Sequence, residues 1–198
     1  MGRFSILLPT YQRCEKLRVV LDALSEQEGL QEGEVIVGVD GSTDCTVELL
    51  QAFQKHFPTR LDFFVIPNSG RAVIRNRLLD RATGDIILFI QDDIVVQAGW
   101  LQAHLLAQQE RPAAHVGFVT WYPNAVITPY MRWLERGGHL LDFSRLRDGQ
   151  SLDFWRFYMG NISFPRALMT GLRFDETFRG YGWEDIVLGY EFMRAGHP

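Results

Sequence analysis

A chain of 198 residues with a formal net charge of −4, 46% hydrophobic and 22% charged, suits one domain with a buried core. That charge gives no electrostatic footprint for nucleic acid or an anionic membrane surface. No apolar run approaches the roughly 20 residues of a membrane-spanning helix, and the first apolar stretch is too short for a signal peptide.

That stretch, Phe4–Leu8, predicts a buried strand ended by Pro9, because proline cannot donate to a ladder. Leu17, Val20, Leu21 and Leu24 share one helical face, which predicts a helix over about Cys14–Gln27. Glu34–Val39 predicts a second strand, and Asp44 is placed to cap a helix carrying Val47, Leu50 and Phe53. Leu61–Ile66 predicts a third strand, Ala72–Leu79 a third helix and Ile86–Ile90 a fourth, wholly apolar strand. Strands alternating with helices imply crossover units, hence an α/β fold with a mostly parallel central sheet flanked by helices.

Beyond about residue 110 the pattern loosens. Val116–Tyr122 predicts a strand and Thr128–Glu135 a helix, whereas residues 137–155 show no period. Phe157–Phe164 is expected to return to the sheet, and Trp183–Ala195 to form a last helix. Residues 1–198 are expected to be a single domain, with 1–110 its regular half and 111–198 its irregular one. The helical period still running at Glu191–Ala195 reads as a chain continuing beyond Pro198.

In open α/β sheets, ligands bind beyond the carboxyl ends of the strands. Here those ends are Pro9-Thr10-Tyr11, Asp40-Gly41-Ser42-Thr43-Asp44 and Gln91-Asp92-Asp93, so acids collect along one edge. Adjacent carboxylates repel unless a cation offsets them, and carboxylate oxygens suit Mg2+ or Mn2+. Taken singly, Asp92-Asp93 and Asp40-Gly41-Ser42 read equally well as turns or caps. Arg71 and Arg75, one helical turn apart, suit a phosphate or a solvated helix face. Cys14 and Cys45 have no zinc-like spacing, so reduced thiols and a cytoplasmic setting are expected. His56, His104, His115 and His139 show no pairing pattern.

The order of these pieces resembles the GT-A glycosyltransferases, specifically family 2. The matching segments are Ser5–Tyr11, Val39–Asp44, Asn68–Arg71 with Arg75-Asn76, Phe89–Asp93, Gly160-Asn161, Phe174–Glu176, Gly182–Asp185 and Leu188–Tyr190. The resemblance implies a GT-A fold that moves a sugar from a nucleotide-diphosphate sugar, of UDP or dTDP type, to a hydroxyl acceptor with inversion. Residues 1–110 would bind the donor and 111–198 the acceptor. Pro9, Thr10, Tyr11, Asp40, Arg71, Arg75 and Asp92 would line the nucleotide, with Asp40 accepting from the base N–H.

Asp93 would hold Mn2+ or Mg2+ in a DXD-type motif whose first acid is replaced by Gln91, which removes one negative charge. Asp185 would be the general base and Glu184 its helper, opening the last helix. Gly160, Asn161 and Trp183 would face a carbohydrate or other hydroxyl acceptor, since sugar C–H faces stack on aromatic rings. Trp121, Tyr122, Tyr130, Trp133, Trp155, Tyr158 and Tyr181 also crowd this half. The expected setting is cytoplasmic, including the inner face of a membrane as a peripheral protein.

The alternatives are a non-catalytic or a retaining GT-A-like domain. A sugar-nucleotide pyrophosphorylase would need a glycine-rich loop where Leu8–Arg13 stands, and a dehydrogenase would need G-x-G-x-x-G there.

Overall fold

The computed structural model describes residues 3–136, 143, 145–180 and 182–198. His139 and Tyr181, named above, lie outside the described residues. Among the described residues six strands form one sheet: β1 (Phe4–Thr10), β2 (Glu34–Asp40), β3 (Arg60–Ile66), β4 (Ile86–Ile90), β5 (His115–Val116) and β6 (Asn161–Pro165). Their order is β3-β2-β1-β4-β6-β5. The first four are parallel, while β6 runs antiparallel to both β4 and β5.

The central strands β1, β2 and β4 are buried on both faces by alternation. Ile6, Leu8, Val35, Val37, Val39, Leu88 and Ile90 point one way. They meet Leu17, Val20, Leu21 and Leu24 of α1 (Cys14–Ser25), Leu49, Leu50 and Phe53 of α2 (Thr46–Gln54), and Leu101 and Leu105 of α4 (Trp100–Glu110). Leu7, Ile36, Ile87 and Phe89 point the other way, onto α3 (Arg71–Arg81) and α6 (Glu184–Arg194). This period of two, wrapped in helices of period 3.6, makes the four apolar runs a sheet rather than helices. The helix α5 (Pro129–Arg136) lies in the irregular half, and no helix of the described residues is long and apolar enough to cross a membrane.

The second half departs from its sequence pattern in two places. The strand expected at Val116–Tyr122 ends at Val116, because Gly117 lies against Asn161 and the chain turns away there. The Gly117 N–H donates to Asn161 O at 2.8 Å, and a Cβ at 117 would stand 2.3 Å from Asn161 Nδ2. The return to the sheet begins at Asn161 rather than Phe157. Phe157 and Met159 are apolar because they are core, not because they are strand.

Strand order reverses across β1, since the chain builds outward through β2 and β3 and then crosses to β4 on the other side. That reversal is a topological switch point, where the loops after two neighbouring parallel strands part and leave a crevice. The crevice lies between the ends of β1 and β4.

Candidate active site

At the switch point, Thr10 Oγ1 donates to Asp92 Oδ2 at 2.7 Å, tying the end of β1 to the turn after β4. The Arg13 guanidinium donates to Asp92 Oδ1 at 3.2 Å and also pairs with Asp93 Oδ2. Asp92 is buried while Asp93 is about one-third exposed, so Asp93 faces the crevice and Asp92 its wall. Burial raises the Asp92 pKa, opposed by Thr10 and Arg13 and assisted by the neighbouring Asp93 charge. The pair thus demands positive charge, and its hard oxygen donors fit a divalent ion. Nothing local in Leu8–Arg13 marks Arg13 as the partner of these acids, because only the fold brings the loop after β1 to the turn after β4.

Asp40 ends β2 in a buried position. Its two oxygens accept the Ser69 and Gly70 N–H groups at 2.7 and 3.0 Å, so it holds the loop entering α3. Gly41 is required here, with φ +75° and a Cβ that would sit 2.6 Å from the Asn68 nitrogen. Gln12, itself at φ 53°, accepts the Thr43 and Asp44 N–H groups through Oε1, clasping the two neighbouring strand-end loops. Tyr11 is exposed beside them, and Arg71 opens α3.

A disulfide joins Cys14 to Cys45, which corrects the expectation of reduced thiols. Parallel β1 and β2 deliver the starts of α1 and α2 side by side, so residues 31 apart in sequence meet. Asp44 Oδ2 accepts the Cys14 N–H at 2.9 Å within the same clasp. Among the described residues the grouping with metal-like spacing is Cys14, Glu15 and Cys45, and the disulfide consumes two of its three donors.

The acidic helix looks different from its sequence reading. Arg75 NH1 donates to Glu184 Oε1 at 2.7 Å, with both side chains about 2% exposed. Arg75 also lies over the Phe174 ring at 5.4 Å. The Arg75 guanidinium and the Glu184 carboxylate pair with each other in the core, while Arg75 Nε and Glu184 Oε2 are buried without a hydrogen-bond partner.

Asp185 is half-buried, and its Oδ1 accepts the Ile186 N–H at 2.9 Å. Burial raises its pKa, with Arg75 pulling it down and Glu184 pushing it up. Trp183 caps α6 at φ 75° and is exposed. Asn161 is buried. Its Oδ1 accepts from Trp100 Nε1 at 2.8 Å and meets His104 Nε2 at 3.0 Å, while its Nδ2 donates to Phe118 O. Gly160 O accepts the Gln91 N–H at 3.1 Å, setting this turn behind the acid pair.

The model of glycosyl transferase family 2 matches residues 5–173. The chain belongs to that family. It is 30% identical over 241 residues to the uncharacterized glycosyltransferase YfnE of Bacillus subtilis (strain 168), an alignment covering 97% of this chain and 60% of YfnE. The structure of S. aureus TarS 1–349 in complex with UDP superposes with TM-score 0.73 at 19% identity, over 96% of this chain and 54% of that one. The mannosyltransferase PcManGT from Pyrobaculum calidifontis, in complex with GDP-Man and Mn2+, gives 0.72 at 19% identity, over 99% and 53%. The chain therefore spans little more than half the length of these two structures, and three-fifths of YfnE.

As a family 2 glycosyltransferase, the chain divides its site residues into two sets. Thr10, Arg13, Asp92 and Asp93 meet directly at the switch point, and Asp40 with Gly41 forms the adjoining wall. Arg75, Asn161 and Glu184 are buried and hydrogen-bonded to other side chains.

Proposed function

We propose that this family 2 chain transfers a glycosyl group from a nucleotide-diphosphate sugar, of UDP or dTDP type, to an acceptor hydroxyl with inversion, and that Asp185 is the base. The observation that carries this reading is the position of Asp185, half-buried at the start of α6 next to the buried Arg75–Glu184 pair. Arg75 is committed to Glu184, and burial lifts Asp185 above an ordinary aspartate. A carboxylate shifted toward neutrality is a stronger proton acceptor at working pH.

Thr10, Tyr11, Asp40, Arg71 and Asp92 form the donor wall in this reading, with Asp40 acting through the Ser69–Gly70 loop that it shapes. Asp185 takes the acceptor hydroxyl proton as that oxygen bonds to the anomeric carbon. The bond from that carbon to the diphosphate breaks on the opposite face. Asp93 would hold a divalent ion, Mn2+ or Mg2+, which would supply positive charge to offset that on the leaving diphosphate. The UDP bound to TarS and the GDP-Man and Mn2+ bound to PcManGT support a nucleotide-sugar donor and a metal.

The test is calorimetry with UDP, GDP and dTDP in Mn2+ or Mg2+, followed by transfer assays on the corresponding sugars. Asp93→Asn is expected to remove metal-dependent nucleotide binding. Asp185→Asn is expected to keep it and lose transfer. An Asp185→Asn protein with full transfer activity refutes the base assignment.

A further inference from the structure

We infer that the Cys14–Cys45 disulfide is a thiol-exchange site, opened at the exposed Cys45 sulfur by a dithiol reductant, and that its state sets how firmly the donor wall is held. The consequence for the donor rests on the glycosyltransferase reading; the thiol chemistry does not.

The bond lies across the two strand-end loops beside the switch point. Cys14 opens α1 directly after Tyr11-Gln12-Arg13, and Cys45 stands before α2 directly after Ser42-Thr43-Asp44. Its two ends differ in access, since Cys14 is 4% exposed whereas Cys45 is open to solvent. A hollow of about 360 Å³ adjoins both, lined also by Gln12, Arg13, Glu15, Lys16 and Asp44. A thiolate therefore reaches the Cys45 sulfur from solvent, with the Lys16 ammonium along its approach. The Glu15 carboxylate in the same hollow shares its charge with Arg18 at 4.0 Å.

The exchange takes two displacements. One thiolate of the dithiol bonds to Cys45 Sγ, and the bond between Cys45 and Cys14 breaks. Cys14 departs as a thiolate in the first turn of α1, where the helix N-terminus favours negative charge. The second thiolate of the reductant then attacks the reductant sulfur of the mixed disulfide and releases Cys45. The protein gains two electrons and two protons, and the dithiol closes to its own disulfide.

What the bond holds is otherwise held weakly. The Gln12 N–H donates to Ser42 Oγ at 3.0 Å and Gln12 Nε2 to Thr43 Oγ1 at 2.8 Å, while Gln12 Oε1 accepts the Thr43 and Asp44 N–H groups, each at 3.2 Å. All four bonds are exposed, so water competes for them. Asp44 Oδ2 adds one partly buried bond from the Cys14 N–H. Gln12 stands at φ 53°, a left-handed backbone that a residue with a side chain keeps only where its surroundings hold it. Cutting the covalent tie two residues away lets Gln12 relax, and Tyr11 and Arg13 move with it. Tyr11 belongs to the donor wall and Arg13 to Asp92 and Asp93, so the clasp carries the state of the disulfide into the crevice.

The test treats the oxidised full chain, without denaturant, with dithiothreitol. Alkylation and mass spectrometry count the thiols, and hydrogen exchange follows the amides. Both cysteines are expected to become alkylated. The N–H groups of Gln12, Cys14, Thr43 and Asp44 are expected to exchange about tenfold faster or more, while those of Val35–Val39 in β2 stay protected. Calorimetry with UDP and dTDP in Mn2+ is expected to show affinity falling about fivefold or more on reduction, because the ligand must then order the wall itself. The double variant Cys14→Ser, Cys45→Ser is expected to match the reduced chain and to ignore dithiothreitol. A disulfide that stays closed until urea unfolds the chain overturns the proposal. So do freed thiols with the four amides unchanged, loss of protection throughout β2, or equal nucleotide affinity in the two states. Should the oxidised chain bind neither nucleotide, the donor reading fails, and the thiol count and the amides alone decide the switch.

Discussion

The buried pair of Arg75 and Glu184 gives the sharpest test of how this site is held. With both side chains about 2% exposed and a 2.7 Å hydrogen bond between them, removing either partner strands a charge in the core. Stranding one member of such a pair costs about 3–5 kcal/mol, whereas replacing both with apolar residues is close to neutral. For a domain of this size 1 kcal/mol corresponds to roughly 2–4 °C in Tm, so Arg75→Met or Glu184→Leu alone is expected to lower Tm by roughly 6–20 °C. The double variant is expected to regain most of that loss, and a thermal-melt double-mutant cycle measures the coupling. The same cycle has a signature in the chemistry. Arg75 draws the Asp185 pKa down and Glu184 pushes it up. The acid limb of the rate profile is therefore expected to move to higher pH in Arg75→Met and to lower pH in Glu184→Leu. If the single losses simply add, or if Arg75→Met leaves Tm intact while weakening UDP binding, Arg75 grips the donor after all and the reasoning fails.

Arg13 pairs with both Asp92 and Asp93, so Arg13→Gln is expected to tighten Mn2+ binding without nucleotide by about tenfold or more, read by calorimetry; unchanged or weaker binding refutes this. His104 sits neutral between Ser163 Oγ at 2.9 Å and Asn161 Oδ1 at 3.0 Å, its pKa pushed down to about 4 by burial. The unfolded chain then binds the extra proton first, so stability present above about pH 6.5 falls as pH drops toward 4, by roughly 3 kcal/mol in all. Urea unfolding across that range is expected to show a shallower pH slope in His104→Gln, and an unchanged slope rejects the assignment. The Cys14–Cys45 disulfide closes a separation of 31 residues, for which the chain-entropy relation gives about 3–4 kcal/mol. Paired Cys14→Ser and Cys45→Ser substitutions are expected to lower the urea midpoint accordingly, while an unaltered midpoint rules out that contribution.

The regular half of the fold was legible because its signals are local. Each apolar run from Phe4 to Ile90 carries its own boundary, and Pro9 or the acid-bearing turns mark where it stops. Acids at strand ends were legible for the same reason. What sequence hides is burial. Arg71 and Arg75 look alike on paper, one turn apart, yet Arg75 lies within the core and Arg71 at the entrance of α3. Glu184 and Asp185 are neighbours, and helical phase alone sends one inward to Arg75 and leaves the other half-buried. Asn161 reads as a polar strand residue near the site, but it satisfies Trp100, His104 and the backbone of Phe118. The disulfide had a signal of its own: each cysteine stands at the start of the helix following one of two adjacent strands. Reading it requires knowing that β1 and β2 are paired in parallel.

These reassignments change what α3 does. The inverting chemistry proposed here needs a donor pocket from the first half and a base from the second, held in fixed relation, because a misplacement of about 1 Å can cost 100-fold in rate. One helix meets both. The start of α3 is gripped by the Asp40 carboxylate through Ser69 and Gly70. One turn on, Arg75 fixes Glu184 at the start of α6. Next to it Asn76 donates to Phe174 O and Glu176 Oε1, each at 2.9 Å, and accepts the Phe174 N–H at 3.0 Å. Two consecutive buried polar residues thus fasten the irregular half to the regular one, at the places flanking Asp185. Buried polar side chains are expensive unless satisfied, so they specify one alignment where apolar packing would tolerate several. In this chain α3 links the Asp40 loop to the segment around Phe174 and to the start of α6, through Arg75 and Asn76.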